Sequence, residues 1–102
     1  MNLKFSGDIT LEQIFQEYQT QIYDTMVESI VSSIQAGLKN EVNVVTITIN
    51  SKEYSIGLVP EKFYLALSSA ISYYEKLEEF EKCQRCLNII KSLGYEKAEI
   101  AR

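Results

Sequence analysis

Two groups of side chains in this chain have types and spacings that could do chemistry. Cys83 and Cys86 flank Gln84 and Arg85, the spacing of a redox dithiol or of half a zinc site. A redox pair of this kind sits at a helix N-terminus just after a strand, where the helix dipole favours the thiolate. Here Glu79 and Glu81 precede the pair within a helix and oppose ionisation. Structural zinc takes four ligands, and the chain has two cysteines and no histidine, so a metal would need two chains meeting at this helix. The pair therefore reads as packing thiols with no cofactor and no metal, Cys86 being the more exposed. The second group is Glu75, Glu78, Glu79 and Glu81. Carboxylates act as acid and base only in unequal environments, and bind hard cations only from a shaped loop. With Lys76 and Lys82 nearby, the group reads as a solvated turn whose acidity can orient a basic partner. A small glutamate-dependent enzyme using Glu75 and Glu78 is an alternative, and it would require a closed pocket around a carboxyl of raised pKa.

The absence of histidine removes Ser-His and Cys-His nucleophile pairs and imidazole acid–base chemistry. Gly7, Gly37, Gly57 and Gly94 are isolated, so no glycine-rich phosphate loop exists. No catalytic residue is expected. The net charge is −4 and the ten basic residues are dispersed, which disfavours nucleic acid; a nucleic-acid-binding regulator, the other alternative, would use Lys82, Arg85 and Lys91 on the last helix. No apolar run reaches the ~20 residues of a membrane span, and the start Met1-Asn2-Leu3-Lys4-Phe5 lacks a signal-peptide core. The expectation is a cytoplasmic protein, host-cytoplasmic if phage-encoded. One proline, no tryptophan and abundant Ile, Asn, Lys and Tyr fit an AT-rich bacterial or phage genome.

What must position these groups is a set of short elements dominated by one long helix, expected over residues 10–36. Thr10 and Gln13 make a capping box, Ile9 and Ile14 flank it as a hydrophobic staple, and Gly37 supplies a left-handed stop. Its apolar stripe starts narrow at Leu11, Ile14, Phe15 and Tyr18, then broadens through Ile22, Tyr23, Met26, Val27, Ile30, Val31 and Ile34. A continuous helix of this length spans roughly 40 Å, against a radius of gyration of about 13 Å for a chain of this size. One end should overhang or be covered by another chain.

Residues 1–8 read as an extended arm able to add a strand. Residues 42–50 alternate at period two, with Val44-Val45 interrupting the alternation as a bulge or a two-sided burial would. Asn50 to Glu53 form a polar turn, and Tyr54, Ile56 and Leu58 resume the pattern as a β-hairpin. Pro60 opens a helix running to about residue 77, its core stripe Phe63, Tyr64, Leu67, Ala70, Ile71, Tyr74 and Leu77. A last helix over residues 79–93 turns Phe80, Cys83, Leu87 and Ile90 inward and stops at Gly94.

Within these helices Ala70, Tyr74, Phe80, Cys83, Leu87 and Ile90 resemble the second part of one tetratricopeptide repeat, over residues 66–93. An aromatic ends the first helix, an acidic turn leads to a second aromatic, and Cys83 takes the place of the small packing residue. The resemblance implies a tightly packed antiparallel αα-hairpin, and protein or peptide binding on its concave side.

Together these features predict one α+β domain, residues 1–102, ordered α-β-β-α-α, with a third strand open to the N-terminal arm. Its expected function is non-enzymatic protein binding by an adaptor, assembly chaperone, inhibitor or structural subunit, phage- or mobile-element-encoded. The expected partner is protein, with self-association as a homodimer or higher homo-oligomer and no membrane. The expected interface is the overhanging helix face Tyr23, Val27, Ile30, Val31 and Ile34, joined by Tyr73. Tyr73 and Tyr74 cannot both point inward, and Tyr73 is the surface candidate.

Overall fold

The computed structural model describes residues 1–37 and 41–94. The last residues, 95–102, expected to fray or to add one helical turn, lie outside the described residues. The chain forms two compact units, Met1–Pro60 and Glu61–Arg102, and the fold is α+β, with four helices and a three-stranded sheet among the described residues.

In the first unit the period-two segments become strands and the capped segment becomes helix. The elements are β1 (Asn2–Phe5), α1 (Leu11–Glu17), α2 (Gln19–Gln35), β2 (Val42–Ile49) and β3 (Lys52–Leu58). The N-terminal arm does supply a third strand, and it pairs parallel to β2, Leu3 opposite Ile47 and Phe5 opposite Ile49. Neighbouring parallel strands need a long crossover, and α1 and α2 provide it. The sheet order is β1-β2-β3, with β3 antiparallel to β2. The pairing jumps from Asn43–Gly57 to Val45–Ile56, so Val44 is the extra residue of a bulge, and Val44 and Val45 are both buried. They form a core with Ile14 and Ile47, bordered by Leu3, Phe5, Ile9, Leu11, Tyr18, Met26, Ile49, Ile56 and Leu58. Each fully buried aliphatic side chain here contributes about 1.5–3 kcal/mol.

The capping box forms as its spacing requires. The Gln13 N–H donates to Thr10 Oγ1 at 3.2 Å, and the Thr10 N–H donates to Gln13 Oε1 at 2.9 Å. Ile9 and Ile14, the staple pair, meet in the core. The single helix expected over residues 10–36, however, is two helices broken at Tyr18 (φ −107°, ψ 23°). No proline or glycine lies between Gly7 and Gly37, so the break is tertiary in origin. The Tyr18 ring sits edge-on to Phe5 of β1, centroids 5.6 Å apart, and that contact with the sheet coincides with the interruption of the helix. At 1.5 Å per residue α2 is about 25 Å long, and helical bonds flank the break, the Tyr18 N–H donating to the Ile14 carbonyl and the Ile22 N–H to the Tyr18 carbonyl, both at 2.9 Å.

The hairpin turns through two residues, Asn50 (φ 50°) and Ser51 (φ 73°), the mirror-image turn that suits the right-handed twist of the strands. The Asn50 amide adds a rung to the sheet beyond β1, accepting from the Gly7 N–H at 3.0 Å and donating to the Gly7 carbonyl at 2.8 Å. Asparagine tolerates the left-handed region, whereas serine is strained there. Ser51→Gly is therefore expected to raise stability by about 0.5–1 kcal/mol, read as a higher urea midpoint with an unchanged slope.

The second unit is a helix pair. A 3₁₀ turn, Pro60–Lys62, precedes α3 (Phe63–Lys76), and α4 (Phe80–Ser92) packs back on α3 as an antiparallel αα-hairpin. The helix expected from Pro60 thus becomes regular α-helix one turn later. Glu78 (φ 58°) ends α3. The Glu79 N–H donates to the Tyr74 carbonyl and the Glu78 N–H to the Glu75 carbonyl, closing a Schellman motif with glutamate where glycine is usual. Phe63, Leu67, Ala70 and Tyr74 are the buried stripe of α3; Cys83, Cys86, Ile89 and Ile90 are that of α4.

Candidate interaction site

The break at Tyr18 has a consequence on the surface of the first unit. Phe15 near the end of α1 and Gln19, Ile22, Tyr23 and Met26 at the start of α2 line an open apolar groove of about 290 Å³. Their spacing is that of one helical face, carried across the junction. Phe15 is 36 % exposed, whereas its neighbour Ile14 is fully buried, so the two sides of α1 are sharply divided between sheet and solvent. None of the five lining side chains is charged. Glu12 and Gln16, within a turn of Phe15 on α1, are both exposed.

The structure divides the interface expected from the sequence. Val27 and Ile30 are buried in the folded chain, 3 % and 0 % exposed, and are corrected here to core positions. Tyr23, Val31, Ile34 and Tyr73 are half-buried. Of the surplus apolar surface expected along this stretch, Val27 and Ile30 are therefore withdrawn, and Val31 and Ile34 remain part-exposed. Phe15, expected in the core stripe, is instead an exposed wall of the groove.

A polar cleft of about 350 Å³ lies elsewhere on the same unit, lined by Glu41, Val42, Asn43, Ser55 and Gly57. A side chain at Gly57 would meet only the flexible end of the exposed Glu41 side chain, which can move aside. Asn43 Nδ2 donates to Thr46 Oγ1 at 3.0 Å, so the amide beside this cleft is already engaged.

In the second unit Cys83 and Cys86 are free thiols and both are buried. Cys86, expected to be the more exposed, is 0 % exposed against 7 % for Cys83, because it shares the inward stripe of α4 with Ile90 one turn on. Burial pushes the Cys86 thiol up to about 11, with the neighbouring Cys83 adding to the rise. Burial also raises Cys83, and the Glu75 carboxylate raises it further. Both are therefore protonated near neutral pH and poor nucleophiles. The Cys83 thiol donates to the Ile71 carbonyl at 3.6 Å. Among the described residues no three His, Cys, Asp or Glu side chains converge for a metal.

Glu75, Glu78, Glu79 and Glu81 are all exposed, as are Arg85 and Lys91. The Lys82 ammonium lies over the Tyr74 ring, 5.3 Å from its centroid. Two side chains that the sequence placed inward are out: Phe80 is 63 % exposed and Leu77 47 %. Leu77 caps α3 and Phe80 opens α4, so each lies past the end of the helix that could have covered it. An antiparallel αα-hairpin is present, with Ala70, Tyr74 and Cys83 buried, while Phe80, expected inward, is exposed. Among the described residues no helix is long and apolar enough to cross a membrane. No protein-family model, no curated protein and no solved structure matches the chain.

Proposed function

We propose that this protein is a non-enzymatic protein-binding domain of the adaptor, assembly-chaperone, inhibitor or structural-subunit kind, cytoplasmic and self-associating. The observation that carries the proposal is the uncharged apolar groove of Phe15, Gln19, Ile22, Tyr23 and Met26. Apolar surface left open to water is a free-energy source for association. Two copies meeting groove to groove about a two-fold axis bring no charged lining residues together. An aromatic and aliphatic centre matches the anatomy of a protein interface. The Tyr23 phenol suits the role, combining apolar area with a polar tip.

Sedimentation equilibrium over a concentration series tests this reading. The wild type is expected to show a mass that rises with concentration, and Phe15→Glu, which places like charges at the centre of the contact, is expected to remain monomeric with unchanged circular dichroism. A wild-type protein that stays monomeric throughout, or a variant that associates as well as the wild type, contradicts it.

A further inference from the structure

The groove leaves unexplained an apolar surface on the other unit, at the end of the α3–α4 hairpin. Phe80 and Leu77 are 63 % and 47 % exposed, and half-buried Tyr73 stands one helical turn before Leu77 on α3. This exposure does not come from fraying. The Schellman bonds, Glu79 N–H to Tyr74 carbonyl at 2.9 Å and Glu78 N–H to Glu75 carbonyl at 3.0 Å, fix the turn that carries both side chains. A rigid apolar surface loses little conformational entropy when a partner covers it.

The charges around this surface select what can cover it. Glu75, Glu78, Glu79 and Glu81 are exposed. Within residues 75–82 these four glutamates outnumber the two lysines, Lys76 and Lys82, so the stretch stays net negative, with the Lys82 ammonium lying over the Tyr74 ring. Nucleic acid and anionic lipid are repelled by such a surround. A second copy presenting the same end would bring a second set of four carboxylates against the first. A cationic segment gains on both counts, from apolar burial and from charge complementarity.

We propose that the Tyr73–Leu77–Phe80 surface docks a cationic amphipathic helix of another protein, its apolar side chains covering Leu77 and Phe80 and its lysines or arginines facing the surrounding glutamates. This goes beyond self-association through the groove and is independent of it. The protein would then hold a copy of itself with one unit and a different partner with the other.

The test is fluorescence anisotropy of the full chain with a labelled Lys/Leu peptide of about 15 residues at helical period, alongside the same peptide with glutamate for lysine. Wild type is expected to bind the first and not the second, more weakly as salt rises. Phe80→Ser and Leu77→Ser are expected to weaken binding about tenfold or more. Leu65→Ser, at an exposed site about 18 Å along α3 from Leu77, is expected to leave it unchanged. Overturning results are no binding by the wild type, equal loss from all three substitutions, equal binding by all of them, or binding of the chain to phosphatidylserine vesicles that Phe80→Ser abolishes. Sedimentation of the same variants keeps the two proposals apart. Phe80→Ser should associate like the wild type; its dissociation to monomers would show that a second copy covers this end and would overturn the proposal.

Discussion

Ile14→Ala is expected to destabilise the protein by about 2–5 kcal/mol, while Phe15→Ala, one residue along, changes stability by about 1 kcal/mol or less. Ile14 is fully buried among Val44, Val45 and Ile47, at the point where the capping box delivers α1 to the sheet. Its truncation removes three methyl or methylene groups from a position packed from both the helix and the strands. A domain of this size has on the order of 5–15 kcal/mol in total, so the loss is a large part of the whole. Phe15 faces the groove, and its truncation exposes no core. Urea denaturation of the two variants reads the contrast directly. Sedimentation should read its reverse, with Phe15→Ala weakening association and Ile14→Ala sparing it wherever the variant is folded.

The second large effect concerns Cys86. With its thiol pushed up to about 11 and its surface fully covered, the native protein should react with iodoacetamide at pH 8 at least about a hundredfold more slowly than the urea-unfolded chain, because the thiolate is the reactive form. The same shift makes stability depend on pH. In the unfolded chain the thiol ionises near its ordinary value of 9.0, while the folded protein holds it neutral to about 11. Below pH 9 both states carry the proton and the burial contributes fully. As pH rises through that interval the unfolded state loses its proton first, and the native state is progressively disfavoured. The urea midpoint is therefore expected to fall between pH 9 and 11, and to fall less steeply in Cys86→Ala, which has no thiol to ionise there. An equally steep fall in that variant would place the cause in other groups.

Much of the fold is legible in the residues because local chemistry and tertiary packing agree there. The Thr10–Gln13 box, the alternation through Val45, Ile47 and Ile49, the Val44 bulge and the helix stops at Gly37 and Gly94 are local signals, and each of them is present in the structure. The break at Tyr18 has no local marker. It accompanies the contact with Phe5, thirteen residues away in sequence, and the one hint is the apolar stripe that broadens after Tyr18. The interaction sites suffered for the same reason. A helical stripe wider than one face signals burial or a partner without saying which, and Val27 and Ile30 belong to the core. Leu77 and Phe80 fit the stripe by period, yet both sit where a helix ends, and periodicity carries no information about what lies beyond a terminus. Parallel pairing of β1 was equally hidden, since strand direction depends on where the crossover returns the chain and not on the residues of the arm.

The groove across the α1–α2 junction is the proposed self-association surface, and Met26 reports on it most directly. The chain has two methionines, of which Met26 lines the groove, so selective ¹³C-methyl labelling gives a two-line spectrum that can be followed from low to high concentration. The Met26 methyl is expected to shift or broaden in step with the rise in mass, and to lose that dependence in Phe15→Glu. A Met26 signal that stays constant while the mass increases, or a mass that never increases, would contradict the assignment of the groove as the self-association surface.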